Sequence, residues 1–382
     1  MVHVPIYMDN HATTRVDPRV LDAMLPYFSE IYGNAASISH RFGWDAGEAV
    51  KTARGKIAEL FNTDPRNVIF TSGATEANNL ALKGVLHAAP PGTHLITAAA
   101  EHKAVLDPTK RLSRSGYAVT VLPVDQYGMV DPQQIAEALR PNTVLVSIMS
   151  ANNEVGTLNA IAEIAAICRE RGVHFHTDAA QSAGKFPLDL STTPIDLLSL
   201  SGHKIYGPKG IGVLFVRHGS PRIKLEPQLD GGGHERHLRS GTLPVPLIVG
   251  LGRACELSGE TMVDEAARLL ELRERLWTGM QDHLDGLTLN GHPQQRLPGN
   301  LNVSFAGVEG DALMNSMREI AVSSGSACTS ADPQPSHVLR AMGVSDALTR
   351  ASLRFGLGRF NTTEEIDRAV EVVVTAVRGL RG

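Results

Sequence analysis

The chain has only three cysteines in 382 residues, an odd number widely scattered, which argues against a disulfide framework. It lacks any apolar run near the roughly 20 residues that a membrane-spanning helix needs. No internal repeat or low-complexity tract interrupts it. Charge of one sign is missing too: Lys plus Arg number 36 against 40 for Asp plus Glu, a formal net charge of −4. That near-balance leaves neither a basic footprint for nucleic acid nor a polybasic membrane patch. The opening Met1-Val2-His3-Val4-Pro5-Ile6-Tyr7 has no basic start followed by an apolar stretch, as a signal peptide would. A soluble cytoplasmic enzyme, acting on neither nucleic acid nor membrane, is the expectation.

A chain this long exceeds the usual size of one hydrophobic core, so two domains are expected. Short apolar strands at 68–71, 94–97, 119–122, 143–148, 173–177, 196–200 and 212–216 alternate with amphipathic helices, one carrying Ile161, Ile164, Ala165 and Cys168 on a single face. Such alternation predicts an α/β fold with a mainly parallel sheet covered on both faces. Helices near 245–257 and 264–286 read as a bridge to a smaller α+β unit that begins around residue 301. The predicted division is 15–260 for the large domain, with 1–14 and 261–382 forming the small one.

In parallel sheets, ligands sit at the carboxyl ends of the strands. The residues predicted there are 71–75, Glu101-His102, Asn152-Asn153, Asp178 to Gln181, and Ser201-Gly202-His203-Lys204. Lys204 offers an amine able to form a Schiff base, and Ser201 and His203 set donors beside it. Lys209, the competing lysine, reads as part of a turn. Asp178 ends a strand and supplies a carboxylate of the kind that partners a pyridine nitrogen. Thr71-Ser72-Gly73-Ala74-Thr75, between strand and helix, suits a phosphate, although taken alone an ordinary capped helix explains it better. His174-Phe175-His176-Thr177-Asp178 places imidazoles and a carboxylate on one strand face, but its buried character and the lack of zinc spacing argue against a metal. The Gly-rich run from Gly231 to Arg236 reads as a loop near a site.

Of the cysteines, Cys168 and Cys255 read as buried helical residues. Cys328 stands among small polar neighbours, Ser323-Ser324-Gly325-Ser326-Ala327-Cys328-Thr329-Ser330, and reads as a reactive thiol. Arg354, on a predicted strand, can fork two hydrogen bonds onto a carboxylate.

Taken together, these residues resemble the cysteine desulfurases of the iron–sulfur and nitrogenase assembly type (IscS/NifS). These are class V aminotransferase relatives with the aspartate aminotransferase-like fold type I of pyridoxal-phosphate enzymes, a seven-stranded large domain and a smaller α+β domain. The resemblance runs from Asp9-Asn10-His11-Ala12-Thr13-Thr14 to Gly358-Arg359-Phe360. It includes Asn152-Asn153-Glu154, Asp178-Ala179-Ala180-Gln181 and Arg239-Ser240-Gly241-Thr242.

The resemblance implies pyridoxal phosphate bound by Lys204, with Asp178 on the ring nitrogen, His102 stacked on the ring and shuttling protons, and Gln181 on the ring oxygen. Ala74, Thr75, Ser201 and His203 would hold the phosphate, and Thr242 would reach it from the partner of a homodimer. Asn153 and Arg354 would fix the carboxylate of L-cysteine. Cys328 would take the sulfur as a persulfide, leaving L-alanine, and pass it to an acceptor such as an iron–sulfur scaffold protein. No resident metal is implied, with Cys328 left open as a transient iron–sulfur ligand. A selenocysteine lyase or another class V enzyme is the alternative. Three departures stand out: Ala35 where relatives carry proline, His11 where they carry Ser or Asn, and an ending at Gly382 without the tail that docks a scaffold.

Overall fold

A computed structural model describes residues 2, 4–219, 222–324 and 335–382. Its centre is a seven-stranded sheet made of β1 (Val68–Thr71), β2 (His94–Ala98), β3 (Ala118–Leu122), β4 (Thr143–Ser147), β5 (His174–Asp178), β6 (Leu197–Ser201) and β7 (Gly212–Val216), in the order β1-β7-β6-β5-β4-β2-β3. Only β7 runs antiparallel to its neighbours. Every residue of β2, β6 and β7 is buried. That is the pattern expected of strands sandwiched between helical layers rather than facing water on one side.

The helices that cover the sheet include α1 (Arg41–Leu60), α2 (Ala74–His87), α3 (Lys103–Arg114) and α4 (Ile161–Glu170). On one face Phe70, Phe175 and Phe215 pack with Ile57, Phe61 and Ile164; on the other Ile69, Leu95 and Leu145 meet Leu80, Val105 and Leu112. Each such side chain contributes roughly 1.5–3 kcal/mol through burial.

A second sheet of four antiparallel strands has the order β10-β11-β9-β8, from β8 (Leu287–Asn290), β9 (Asn300–Phe305), β10 (Ser323–Ser324) and β11 (Ser352–Gly356). It shares a core with the last helix, Thr363–Arg381, through Val303, Phe355, Ile366 and Val373. A capping box between Thr362 and Glu365 starts that helix, a device worth about 1 kcal/mol.

The two helices expected between the units are in fact one, α5 (Val245–Gln281). Residues 258–263, which include Gly259, lie between the two expected helices. A lone glycine costs only about 1 kcal/mol against alanine, and no proline falls there. Thr261 Oγ1 instead bonds the carbonyl of Leu257 at 2.8 Å along the helix. The first half of α5 packs Ile248, Leu251 and Leu257 on the large-sheet core; the second packs Leu269, Leu272 and Leu276 on the other.

The Gly-rich run also differs from expectation. Glu235 there is buried, bonds Arg54 at 2.6 Å and accepts the Phe70 amide at 2.8 Å. The turn is a clamp on β1, and it does not line the cavity described next.

Candidate active site

The carboxyl ends of β1, β4, β5 and β6, with the connection after β2, open into one cavity of about 530 Å³. Ala74, Thr75, His102, Asn153, Asp178, Gln181, Ser201, His203 and Lys204 all line it. Thr242 does not; it is exposed. Arg354 lies just beneath, fully buried. Cys328 lies outside the described residues.

At the β1 end, Gly73 serves as the cap of α2 with φ +152°, a conformation that side chains rarely adopt. No side chain caps the helix, so its first amides face the cavity. The loop lies flat on β7, where a Cβ on Gly212 would come within 2.6 Å of the Gly73 Cα. Arg239 bonds Glu76 in the first turn of α2 at 2.8 Å, and Glu76 accepts the Ser72 amide. Ser201 and His203 reach the same end of the cavity, and His203 Nδ1 pairs with Thr13 Oγ1 at 3.1 Å. Burial and then the Lys204 charge push the His203 imidazole down to about 4, so it stays neutral near pH 7.

Asp178 ends β5 with both oxygens engaged. Oδ2 accepts Asn78 Nδ2 at 2.7 Å, and Oδ1 accepts the Ala180 amide at 2.9 Å. Asn78 was missed in the sequence. Its only signal there is an amide on the face of α2 that also carries Ala77 and Ala81, both buried.

Lys204 Nζ donates to the carbonyls of His11 and Ala12, at 2.5 and 2.7 Å. The N-terminal segment thus enters the site through its backbone, which side-chain chemistry could not reveal. Gln181 Nε2 also donates to the His11 carbonyl, leaving its buried Oε1 without a partner.

His102 caps α3, with Nδ1 accepting the Ala104 amide. Burial lowers its imidazole below the usual value. Arg354 spends its Nη groups on the Asn153 carbonyl and on Asp9, each at 2.8 Å, and its buried Nε has no partner. The buried Asn153 Oδ1 is likewise unpartnered. A larger groove of about 780 Å³ meets the cavity at His102 and Asn153, bounded by Glu154, Ser336 and His337. His176, one of the residues that with His174 and Asp178 invited a metal reading, instead bonds Ser147 and Ser199 through its two ring nitrogens.

The donor set fits pyridoxal phosphate. Free helix amides, a hydroxyl and an imidazole at one end suit a dianion. A buried carboxylate suits a ring nitrogen, an amine suits an aldehyde, and the unpartnered Gln181 Oε1 and Asn153 Oδ1 await a polar guest.

Comparison with known proteins agrees. Residues 6–369 match the family model described as aminotransferase class-V. The chain is 56% identical over 379 residues to the cysteine desulfurase IscS of Anaeromyxobacter dehalogenans (strain 2CP-C), covering 99% of this chain and 94% of that one. It is 52% identical over 381 residues to IscS of Aeromonas hydrophila, with the same coverage. Among solved structures it is similar to a NifS-like protein, with a TM-score of 0.91 and 37% identity over 98% of this chain and 100% of that chain. It is also similar to SspA in complex with cysteine, with a TM-score of 0.82 and 38% identity over 94% of this chain and 100% of that chain. Sequence, fold and site together make the chain a member of the class-V aminotransferase family, among its IscS/NifS-type cysteine desulfurases.

Proposed function

We propose that this cavity removes sulfur from L-cysteine, with Lys204 as the amine that holds the cofactor and Cys328 as the thiol that receives the sulfur. Pyridoxal phosphate is the cofactor, and when bound it supplies an electron sink for the bonds around the substrate's α-carbon. The convergence of Lys204 and Asp178 in one cavity, with an anion-ready helix start beside them, carries the reading. The cysteine named in the SspA complex supports the substrate.

The protein's own groups divide the work. The Asp178 carboxylate favours a protonated ring nitrogen by charge. The first amides of α2, at Ala74 and Thr75, take the phosphate with Ser201 and His203. Asn153 takes the substrate carboxylate, and Arg354, whose Nη groups hold the Asn153 carbonyl and Asp9, joins it by exchanging one of those bonds. Gln181 holds the ring's edge against the N-terminal segment. Lys204 would hold the cofactor and, with substrate in place, would move the α-proton; His102 would lie beside the ring with Nε2 left for a proton, since Nδ1 is spent on the helix cap. At the sulfur, the Cys328 thiolate attacks the substrate Sγ. An S–S bond forms, the Cβ–S bond breaks, and its electron pair stays with carbon, which takes up a proton. The net change is enzyme thiol plus L-cysteine to enzyme persulfide plus L-alanine.

The persulfide then passes to an acceptor protein in iron–sulfur cluster assembly, in a reducing cytoplasm. The two described cysteines, free and buried, accord with that compartment. Among the described residues no helix is long and apolar enough to cross a membrane. A homodimer completes the site through Thr242. Supporting it, Leu25, Phe28, Tyr32, Ile38, Phe42 and Trp44 are all exposed within one short stretch of chain, a clustering of large apolar side chains that fits an interaction surface.

The test is incubation of the holoenzyme with L-cysteine and a thiol reductant that cleaves the persulfide to sulfide, assaying alanine and sulfide, with borohydride reduction and peptide mass mapping of the resting holoenzyme alongside. Equal yields of both products with the label on Lys204 are expected, and Lys204→Ala should lose both the visible band and turnover. A label on Lys209, or full activity in Lys204→Ala, rejects the assignment.

A further inference from the structure

Asp9 Oδ1 accepts two hydrogen bonds from the second sheet. Arg354 Nη2 on β11 donates one and Ser323 Oγ on β10 donates the other, each at 2.8 Å. The two donors are directly opposite one another in the β10–β11 ladder, so their side chains stand on one face and reach the same point. The backbone holds Asp9 over that face. The Gly356 amide donates to the Met8 carbonyl at 2.7 Å and the Asn10 amide donates to the Gly356 carbonyl at 3.0 Å, which lays residues 8–10 along the end of β11. Just beyond, the carbonyls of His11 and Ala12 take the Lys204 amine.

The two ends of this ion pair are unequal. The Arg354 side chain is 1% exposed and that of Asp9 is 20% exposed. A guanidinium buried so deeply is costly without a counter-ion, and among the described residues Asp9 is the one carboxylate paired with it. Asp9 depends on Arg354 less, because water reaches part of it and Ser323 shares the same oxygen. Its other oxygen, Oδ2, has no hydrogen-bond partner among the described residues. Arg354 Nε is buried and unpartnered. Nε and Nη2 together form the edge on which a guanidinium takes a carboxylate two-pronged, and Asp9 occupies only the Nη2 half of it.

We propose that Asp9 is a positioning residue for Arg354. It is the counter-ion of the guanidinium while the site is empty, and it yields Nη2 to the carboxylate of the incoming substrate, with Ser323 keeping its hold on Asp9. The proposal deepens the reading of Arg354 as a ligand of the L-cysteine carboxylate and rests on it. Asp9 opposes the substrate in two ways, by occupying Nη2 and by repelling a second negative charge. It therefore lowers affinity for a carboxylate ligand, in exchange for an arginine that is aimed and charge-balanced before the ligand arrives. Neither effect acts on a ligand that has no carboxylate.

A spectroscopic titration decides it, using holoenzyme that carries Cys328→Ser to suppress turnover. The ligands are L-cysteine and cysteamine, which has the same amine and thiol without the carboxylate. Asp9→Asn removes the charge, yet its amide oxygen still accepts from Arg354 and Ser323, and its nitrogen falls where Oδ2 has no partner to lose. The dissociation constant for L-cysteine should fall about tenfold, the difference between a charged and a neutral acceptor on one hydrogen bond, and that for cysteamine should change by less than about twofold. Ser323→Ala should move the other way, weakening L-cysteine about threefold and leaving cysteamine unmoved, because Asp9 loses the partner that retains it. Weaker L-cysteine binding in Asp9→Asn, no change, or an equal change with cysteamine overturns the proposal; a purely structural ion pair gives one of these. If Asp9→Asn does not load cofactor, Ser323→Ala decides alone, and unchanged or tighter L-cysteine binding there overturns it. Arg354→Gln separates the two readings. L-cysteine bound as tightly as in its parent would overturn Arg354 as the carboxylate ligand and the proposal with it, whereas weakened binding there beside a failed Asp9→Asn result overturns the proposal alone.

Discussion

The side-chain amide of Asn78 donates to Asp178 Oδ2 at 2.7 Å, joining the first helix after β1 to the end of β5 across 100 residues of sequence. With the Ala180 amide on Oδ1, it fixes the carboxylate from two sides.

Asn78→Ala should leave the fold intact and lower kcat by about 10- to 100-fold, the loss expected for one hydrogen bond to a charged group, roughly 1.5–3 kcal/mol. Asp178→Asn should fall much further, by several orders of magnitude, because the charge that keeps a ring nitrogen protonated goes with it. Steady-state rates with saturating cofactor check the order. A kcat within twofold of wild type for Asn78→Ala would make that residue a packing element.

A second expectation concerns the clamp on β1. Glu235 takes both Arg54 and the Phe70 amide, and Arg54 also lies over the Phe70 ring at 4.4 Å. Glu235→Ala leaves the Phe70 N–H buried without its partner and takes the carboxylate from Arg54, which keeps only the Val68 carbonyl and the Phe70 ring, and this should cost about 2–3 kcal/mol. Denaturant unfolding of the two proteins measures it. A loss under 1 kcal/mol would show that water repairs the gap.

How far the site could be read from sequence follows from where its information lies. The strand β6 is a largely apolar run that leads into Ser201 to Lys204, and β5 is a short strand around Phe175 that ends in Asp178, so both their positions and the edge they share were legible. Pairings over long separations were not. Asn78 looks like any helical amide until β5 lies beside it. Glu235 sits in a glycine-rich turn that suggests a loop at the site, yet its carboxylate is bound 181 residues upstream to Arg54. The role of His11 in holding Lys204 belongs to a backbone carbonyl, which every residue has. The unbroken run of α5 through Gly259 depended on two cores packing against its halves, a tertiary cause that outweighs local propensity.

Glu154 supplies a pH test. Burial raises its carboxyl from 4.5 to about 7, and Ser336 donates a short hydrogen bond to it. The folded protein therefore holds a proton that the unfolded chain releases from about pH 4.5 upward. Stability should fall as pH rises through that window to about 7, by up to about 3 kcal/mol. Glu154→Gln keeps a partner for Ser336 and carries no charge. Its stability relative to wild type should thus be larger at pH 8 than at pH 5, and equal differences at both would show that Glu154 ionises normally.

The last expectation concerns which thiol carries sulfur. Burial pushes Cys168 up to about 12 and drives Cys255 higher still, so neither forms thiolate near neutral pH. Both are closed in by the large core, Cys168 on α4 and Cys255 on α5. Cys328 lies outside the described residues, and its case rests on its small polar neighbours in the sequence and on elimination of the other two. Cys328→Ser should still bind cofactor and change its spectrum on adding L-cysteine, because those steps belong to Lys204, Asp178 and the carboxylate ligands. It should form almost no alanine, since serine is a poor acceptor of sulfur. Cys168→Ser and Cys255→Ser should turn over, with losses confined to stability, as a hydroxyl replaces a buried thiol. Mass spectrometry of wild type after one turnover without reductant should find one added sulfur on the peptide holding Cys328. Sulfur on the Cys168 or Cys255 peptide, or alanine formed by Cys328→Ser at the wild-type rate, would require another acceptor.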